Sequence, residues 1–313
     1  MQTKESKLSW RNASPFGDTG SNMKFKIQLF ICVICVSLFG PVALAQKSSR
    51  SHASMSPETR GLIENAIGVV CTQAKLDPQS SIAIDDMQAR PSLPLQSPEA
   101  QAGAERAQRL LPLAKALMIS SLRQLVTEYG LDKSPRFQSR LRQATARVNA
   151  VKRVRPDMDS RDNASVFLSK PHMITFGTIF LAGLRSDEGM ISVLAHELTH
   201  IADGDSDSLR ALVNAVSNKA ADLTGLDIRG QRGEEITCDL IGAMAARAYV
   251  STTPGYESIA RRLSRSIQHN CVEQDEGDAD HLSPRNTIRA LLALNPVLVR
   301  ELITDREERT RKP

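Results

Sequence analysis

Apolar residues recur at three- and four-residue intervals through much of the chain, and this spacing is typical of amphipathic helices. The clearest example is 104–129, where leucines at these intervals alternate with polar residues. The same pattern predicts further helices at 57–76, 135–152, 178–184, 187–201, 208–223, 234–250, 256–269 and 285–302.

Two short runs between 163 and 177 differ from this pattern, because β-branched and aromatic residues are frequent in them. The runs 164–168 and 173–176 are separated by a polar stretch that contains a proline, which predicts a hairpin. No repeat with a period of about 20–50 residues is present, so a solenoid is excluded. The predicted fold is α+β and mainly helical, with one small β-sheet or hairpin.

Composition changes divide the chain into four parts. Prolines at 78, 91, 94 and 98 predict a linker or long excursion between 77 and 103. The predicted parts are an N-terminal extension with a signal peptide (1–45), an N-terminal helix with a Pro-containing linker (46–103), a main domain (104–302) and a charged tail (303–313).

The segment that begins at Met23 has the layout of a secretory signal peptide. Lys24 and Lys26 precede a long apolar run, which ends in Ala43-Leu44-Ala45. We therefore expect translation to begin at Met23, cleavage after Ala45, and a periplasmic or secreted product. The alternative is an uncleaved membrane anchor, because the apolar run is close to the roughly 18 residues that a spanning helix needs.

The overall charge is less basic than the pI of about 9.0 indicates. Cleavage would remove five basic and two acidic residues, so the formal net charge would fall from +5 to +2. No basic stripe carries the interleaved aromatic residues that stack on bases, so nucleic acid is not an expected partner. With 313 residues, 41% of them hydrophobic, the chain is long and apolar enough to bury a core.

Three cysteines follow the signal segment: Cys71, Cys238 and Cys271. In an oxidising compartment two of them could pair, and the sequence does not choose which. Their spacing contains no C-x-x-C, so a cysteine zinc site or a thioredoxin-type redox centre is not expected.

The segment His196-Glu197-Leu198-Thr199-His200 matches the pattern H-E-x-x-H inside a predicted helix. Residues four apart share a helix face, so both imidazoles can point at one ion while Glu197 projects beside it. This arrangement suits a zinc ion with one position open to water, for which Glu197 would be the general base.

A third ligand is needed to complete such a site. The extended pattern, with a third His six residues after His200, is excluded because Ser206 stands there. Glu235 on a later predicted helix is the other common solution. Asp239, one turn further on the same face, could accept a hydrogen bond from the distal nitrogen of a bound histidine. Glu234 is a rival ligand, but it is out of phase with Asp239.

Several motifs occur in a specific order: Asn163-Ala164, ITFGTIFLAGL, Asp187-Glu188, SVLAHELTH and EEITCD. Over roughly 122–294 they resemble the HtpX-type and Oma-type zinc metallopeptidases, which are relatives of the integral-membrane CAAX prenyl proteases. The resemblance implies a gluzincin-type domain that binds one Zn²⁺ per chain through His196, His200 and Glu235, with Glu197 as the general base.

The chain departs from that family at three places. Thr199 stands where the family has Gly and Cys238 where it has Ala, and both changes leave the ligands intact. The family's H-P segment appears only loosely, as His281-Leu282-Ser283-Pro284. The resemblance implies that His281 contacts the active site or the oxyanion, and the alternative is a structural residue at a helix start. Arg285 and Arg289 are weaker candidates for the same task.

These expectations point to an exported zinc endopeptidase that cleaves extended or misfolded polypeptides in the cell envelope. An extended substrate would pair with the strand formed by Ala164, Ser165, Val166 and Phe167. The alternative is a catalytically latent, metal-containing binding or chaperone-like module, because the acidic loop at 275–280 could cover the site. A polypeptide substrate is the expected partner, a membrane is one only if the signal segment stays attached, and the oligomeric state is left open.

Overall fold

The computed structural model describes residues 55–77, 90–167, 169–204, 208–255, 257–267, 271 and 277–310. The predicted signal peptide, the stretch at 78–89 and Ser206 lie outside these residues.

The described chain is mainly helical, with one small mixed sheet, so the predicted α+β, mainly helical class is confirmed. The helices are α1 (Pro57–Leu76), α2 (Pro98–Glu128), α3 (Pro135–Ala150), α4 (Thr178–Gly183), α5 (Asp187–Asp203), α6 (Arg210–Thr224), α7 (Gln231–Thr252), α8 (Ile259–Ser264), α9 (Pro284–Leu294) and α10 (Pro296–Thr310). The strands are β1 (Arg153–Asp157), β2 (Ala164–Val166) and β3 (Met173–Gly177).

The early helices begin where a serine precedes a proline. Ser56, Ser97 and Ser134 each accept a hydrogen bond from a backbone N–H three residues further on, and the proline fills the first helical position. Helix α2 therefore begins at Pro98 rather than at 104, and the expected boundary at 103 lies inside this helix.

One prediction for the C-terminal part of the chain is wrong. The helix predicted at 285–302 is two helices, because Pro296 lacks a backbone N–H and Asn295 before it adopts a non-helical φ of −129°. The tail predicted at 303 is helical as far as Thr310.

The sheet has the order β1-β3-β2, with β3 parallel to β1 and antiparallel to β2. The predicted hairpin is thus confirmed, while β1 was not predicted because its sequence RVRPD is mostly polar. All five residues of β3 are buried, and β2 lies at an edge of the sheet. Phe167 follows β2 and is exposed, so the predicted substrate strand ends at Val166.

The site helix α5 is buried along most of its length and packs against α2 and α7. Gly242 on α7 allows a close approach to α5, because a Cβ at this position would lie 2.7 Å from the backbone oxygen of Ser192. Gly242 follows Asp239 by about one turn, and Ser192 precedes His196 by about one turn. The crossing point therefore sets the distance between the histidines of α5 and the carboxylates of α7.

A disulfide joins Cys71 of α1 to Cys271, and Cys238 is a buried free thiol. This settles the pairing that the sequence left open. Disulfides persist mainly in oxidising compartments, so the bond is consistent with an extracytoplasmic location. Among the described residues, no helix is both long and apolar enough to cross a membrane.

Candidate metal centre

Two imidazoles of α5 face one another in the last two turns of the helix. Ser186 caps the start of the helix, because its side chain accepts a hydrogen bond from the N–H of Gly189. His196 and His200 follow at a spacing of four residues, with their Nε2 atoms 3.2 Å apart. Both rings are largely shielded from solvent, with side-chain exposures of 20% and 16%.

Glu235 of α7 completes a group of three that could hold a metal ion. Its Oε2 lies 3.3 Å from Nε2 of His196, and its Oε1 lies 3.6 Å from Nε2 of His200. A tetrahedral ion with metal–ligand distances of about 2.0–2.2 Å has its ligand atoms about 3.3–3.6 Å apart. The spacing and the donor set therefore fit Zn²⁺, although the group alone does not identify the ion.

Each histidine contacts a carboxylate through Nδ1, the ring nitrogen that faces away from Glu235. Nδ1 of His196 is 2.8 Å from Oδ1 of Asp239, and Nδ1 of His200 is 2.8 Å from Oε1 of Glu234. A carboxylate in this position keeps the proton on Nδ1 and leaves the lone pair of Nε2 free for a metal. The contact of Asp239 agrees with the sequence prediction, whereas Glu234 was considered only as a rival ligand. The successive residues Glu234 and Glu235 project in different directions from α7. Glu235 lies near the Nε2 atoms of both histidines, whereas Glu234 reaches Nδ1 of His200.

Glu197 is buried beside the two imidazoles, with 6% of its surface exposed. Burial raises the pKa of its carboxyl above the usual value, and the nearby His196 and His200 only partly offset this effect. A carboxylate with a raised pKa takes up a proton more readily than that of an exposed glutamate, which suits a group that accepts a proton and later passes it on. Its position and protonation behaviour suit the predicted general base.

Without a metal, the histidines and carboxylates form a charged cluster. Burial disfavours the imidazolium form of His196, but hydrogen bonds to Asp239 and Glu235 outweigh it and raise its pKa. Burial likewise opposes the charged form of His200, while Cys238, Glu234 and Glu235 raise its pKa. Burial would raise the pKa of Glu235, yet its hydrogen bonds to both imidazoles lower it. Carboxylates outnumber imidazoles, which favours a divalent cation in place of the protons.

The group of three opens into a cleft of about 510 Å³. One wall is the edge strand, which contributes Ala164, Ser165 and Val166, while Phe167 is not among the lining residues. The other lining residues are Asn163, His196, Glu197, His200, Asp203, Gly204, Gln231, Glu234, Glu235 and His281. The structure thus brings most of the predicted site residues to one cleft beside β2, which is an edge strand among the described residues.

His281 lies at the rim of this cleft and is mostly exposed. Its Nε2 is 3.8 Å from Oε2 of Glu235, and its Nδ1 is 3.2 Å from Oδ1 of Asp278. Arg285 and Arg289, the weaker candidates, donate instead to Glu64 of α1, and neither lines the cleft. His281 is therefore the candidate of the three that the structure brings to the site.

The chain matches no protein-family model, no curated protein and no solved structure. Membership of the family that the sequence resembles therefore stays an expectation.

Proposed function

We propose that the chain is a zinc-dependent endopeptidase of the gluzincin type that its sequence resembles. Its substrates would be extended or misfolded polypeptides of the cell envelope. The observation that carries the proposal is the convergence of His196, His200 and Glu235 on one point, beside buried Glu197 and next to a strand edge. The disulfide supports an exported location.

Each of the site residues would have a separate task in the reaction. When bound, Zn²⁺ would supply a Lewis acid that polarises the scissile carbonyl and lowers the pKa of water. Glu197 takes the proton of the attacking water and passes it to the leaving amine. Asp239 and Glu234 accept the Nδ1–H groups of the two histidines and hold the rings in orientation.

The edge strand β2 provides a way to orient the substrate. Its partner β3 occupies one side, and the lining residues of β2 face the cleft. An extended peptide can add to such an edge through main-chain hydrogen bonds, which do not depend on the peptide's side chains. This mode of binding suits unfolded or misfolded segments, because folded proteins seldom expose extended backbone.

The test is the substitution Glu197→Gln, assayed with unfolded casein and a peptide library. We expect zinc content to stay at about one per chain, while hydrolysis falls by about 10²–10⁴-fold because the proton acceptor is lost. Glu99→Gln, at an exposed position in the first turn of α2, is a matched control that should retain full activity. Equal hydrolysis by Glu197→Gln and the wild type would refute the proposal.

A second candidate is a catalytically latent binding module, which the position of the 277–283 loop favours. Arg232 of α7 donates to the backbone carbonyl of Asp278, and His281 stands at the cleft rim beside Glu235. A loop held in this way would hinder entry of a substrate. One zinc per chain without cleavage of any unfolded protein, in the wild type and Glu197→Gln alike, would favour this candidate.

A further inference from the structure

The C-terminus of α5 is held by a side chain from another helix. The last four carbonyls of a helix have no partner within it. In α5 the first of them, that of His200, accepts a hydrogen bond from the N–H of Gly204. The other three carbonyls accept hydrogen bonds from the guanidinium of Arg147 on α3. Nε of Arg147 is 3.0 Å from the oxygen of Ile201, and Nη2 donates to the oxygens of Ala202 and Asp203.

Arg147 also holds the chain where it leaves the helix. Its Nη2 is 2.7 Å from Oγ of Ser208. Gly204 has a positive φ of +59°, and a Cβ at this position would lie 3.1 Å from Nε of Arg147. The guanidinium therefore packs against the backbone of the turn that ends α5. Asp203 and Gly204 in this turn line the cleft.

We propose that Arg147 is a positioning residue of the metal centre, which holds the last turn of α5 so that Nε2 of His200 stays in place to bind the ion. This inference rests on one part of the proposed function, namely that His196, His200 and Glu235 bind a metal ion. His200 lies within the last turn of α5, where helices fray most easily. The planar guanidinium reaches several carbonyls at once in a fixed geometry, which an ammonium group cannot reproduce.

A purely electrostatic role and a positioning role of Arg147 predict opposite changes in metal affinity when its side chain is removed. A nearby cation repels a divalent ion, so loss of its charge alone would strengthen metal binding. Loss of the contacts to the helix end would free His200 and weaken metal binding. The sign of the change therefore separates the two explanations.

The experiment compares Arg147→Met, Arg147→Lys and Arg142→Met with the wild-type chain. Arg142 is an exposed residue of the same helix, so its substitution removes the same charge without touching α5. Zinc affinity is measured by competition with a chromophoric chelator, the geometry of the site by the visible absorption of bound Co²⁺, and the fold by circular dichroism. The zinc affinity of Arg147→Met should fall by about tenfold or more with an altered Co²⁺ spectrum, whereas Arg142→Met should match the wild type.

Arg147→Lys keeps the charge and serves if Arg147→Met does not fold. Its zinc affinity should lie between those of the wild type and Arg147→Met, while a purely electrostatic role predicts no change. Unchanged or tighter binding by both Arg147 variants, with a wild type that binds zinc, would overturn this inference alone. A wild-type chain that binds neither zinc nor Co²⁺ would overturn the proposed function as well.

Discussion

The two ends of α5 carry clusters of charged side chains that differ in the nature of their cation. Near its start, Glu188 is buried and lies 3.1 Å from Nη1 of Arg265, which also binds Asp77 and Glu257. Near its end, His196 and His200 lie among carboxylates of α7. An arginine keeps its charge at all ordinary pH values, whereas an imidazole can exchange its proton for a metal.

This difference separates a structural cluster from a reactive one. Burial disfavours the charge of Arg265, but its carboxylate partners outweigh this effect and raise its pKa above the ordinary value. The disulfide between Cys71 and Cys271 joins the same two parts of the chain as the contact of Arg265 with Asp77. Arg261 and Arg262 also contact Asp77 and Glu188, so three arginines face three carboxylates in the first cluster. The second cluster has an excess of carboxylates that a divalent cation can satisfy.

The largest expected effect comes from breaking the structural cluster. Arg265→Met removes the shortest cation contacts of buried Glu188 and Asp77 and leaves them only the longer ones to Arg262 and Arg261, so the free energy of unfolding should fall by about 3–5 kcal/mol. Urea unfolding measures this loss. Arg229→Met, at an exposed arginine whose ion pair with Asp227 is also exposed, should change stability by about 0.5 kcal/mol or less. A loss no larger for Arg265→Met than for Arg229→Met would show that the cluster does not stabilise the fold.

The reactive cluster should gain stability from metal instead. Free zinc at about 100 times its Kd should stabilise the wild-type chain by about 2.7 kcal/mol, because the ion binds only the folded state. Glu235→Gln should lose most of this gain, since it removes a charged ligand. Thermal unfolding with zinc or with a chelator measures the difference. An equal gain in both chains would mean that Glu235 is not a ligand.

The close approach of α5 and α7 at Gly242 sets the distance between the histidines and the carboxylates of the reactive cluster. Gly242→Ala places a methyl group against the backbone of Ser192, so we expect a loss of about 1–3 kcal/mol and weaker zinc binding. Gly68→Ala on α1 is the control, because nothing lies within 4 Å of its Cβ and alanine favours helix by about 1 kcal/mol. Measurement of both variants by urea unfolding should give opposite signs. A neutral or stabilising Gly242→Ala would mean that the close approach is not required.

A further expected effect is a dependence of zinc affinity on pH. The pKa values of His196 and His200 are raised in the metal-free chain, so zinc must displace protons from them. Their contribution to metal-free stability is fully present below the unfolded pKa of about 6.5 and is lost as pH rises through the raised folded values. Zinc affinity should therefore increase with pH, by about tenfold per pH unit for each proton displaced. Calorimetry in buffers of different ionisation enthalpy counts these protons, and a flat profile between pH 6 and 8 would contradict this account.

Local patterns were enough to predict most helices and the helix face that His196 shares with His200 and Glu235 shares with Asp239. These residues follow from helical periodicity, because each pair lies on one face of one helix. The catalytic and ligand roles remain predictions.

Contacts between distant parts of the chain could not be predicted in this way. Helical phase placed Glu234 away from Asp239, yet the site uses both residues on opposite histidines. Nothing in the local sequence distinguishes Arg147 from the other arginines of its helix, and only the packing of α3 on α5 brings it to the helix end. The pairing of Cys71 with Cys271 likewise depends on the tertiary fold.

The disulfide determines what happens to the chain after a proteolytic cut. Cys71 and Cys271 are 200 residues apart, and His196, His200 and Glu235 all lie between them. A single cut anywhere in this interval leaves the two fragments covalently joined, so the site is not lost by dissociation. A nicked chain would migrate as one species on a non-reducing gel and as two after reduction.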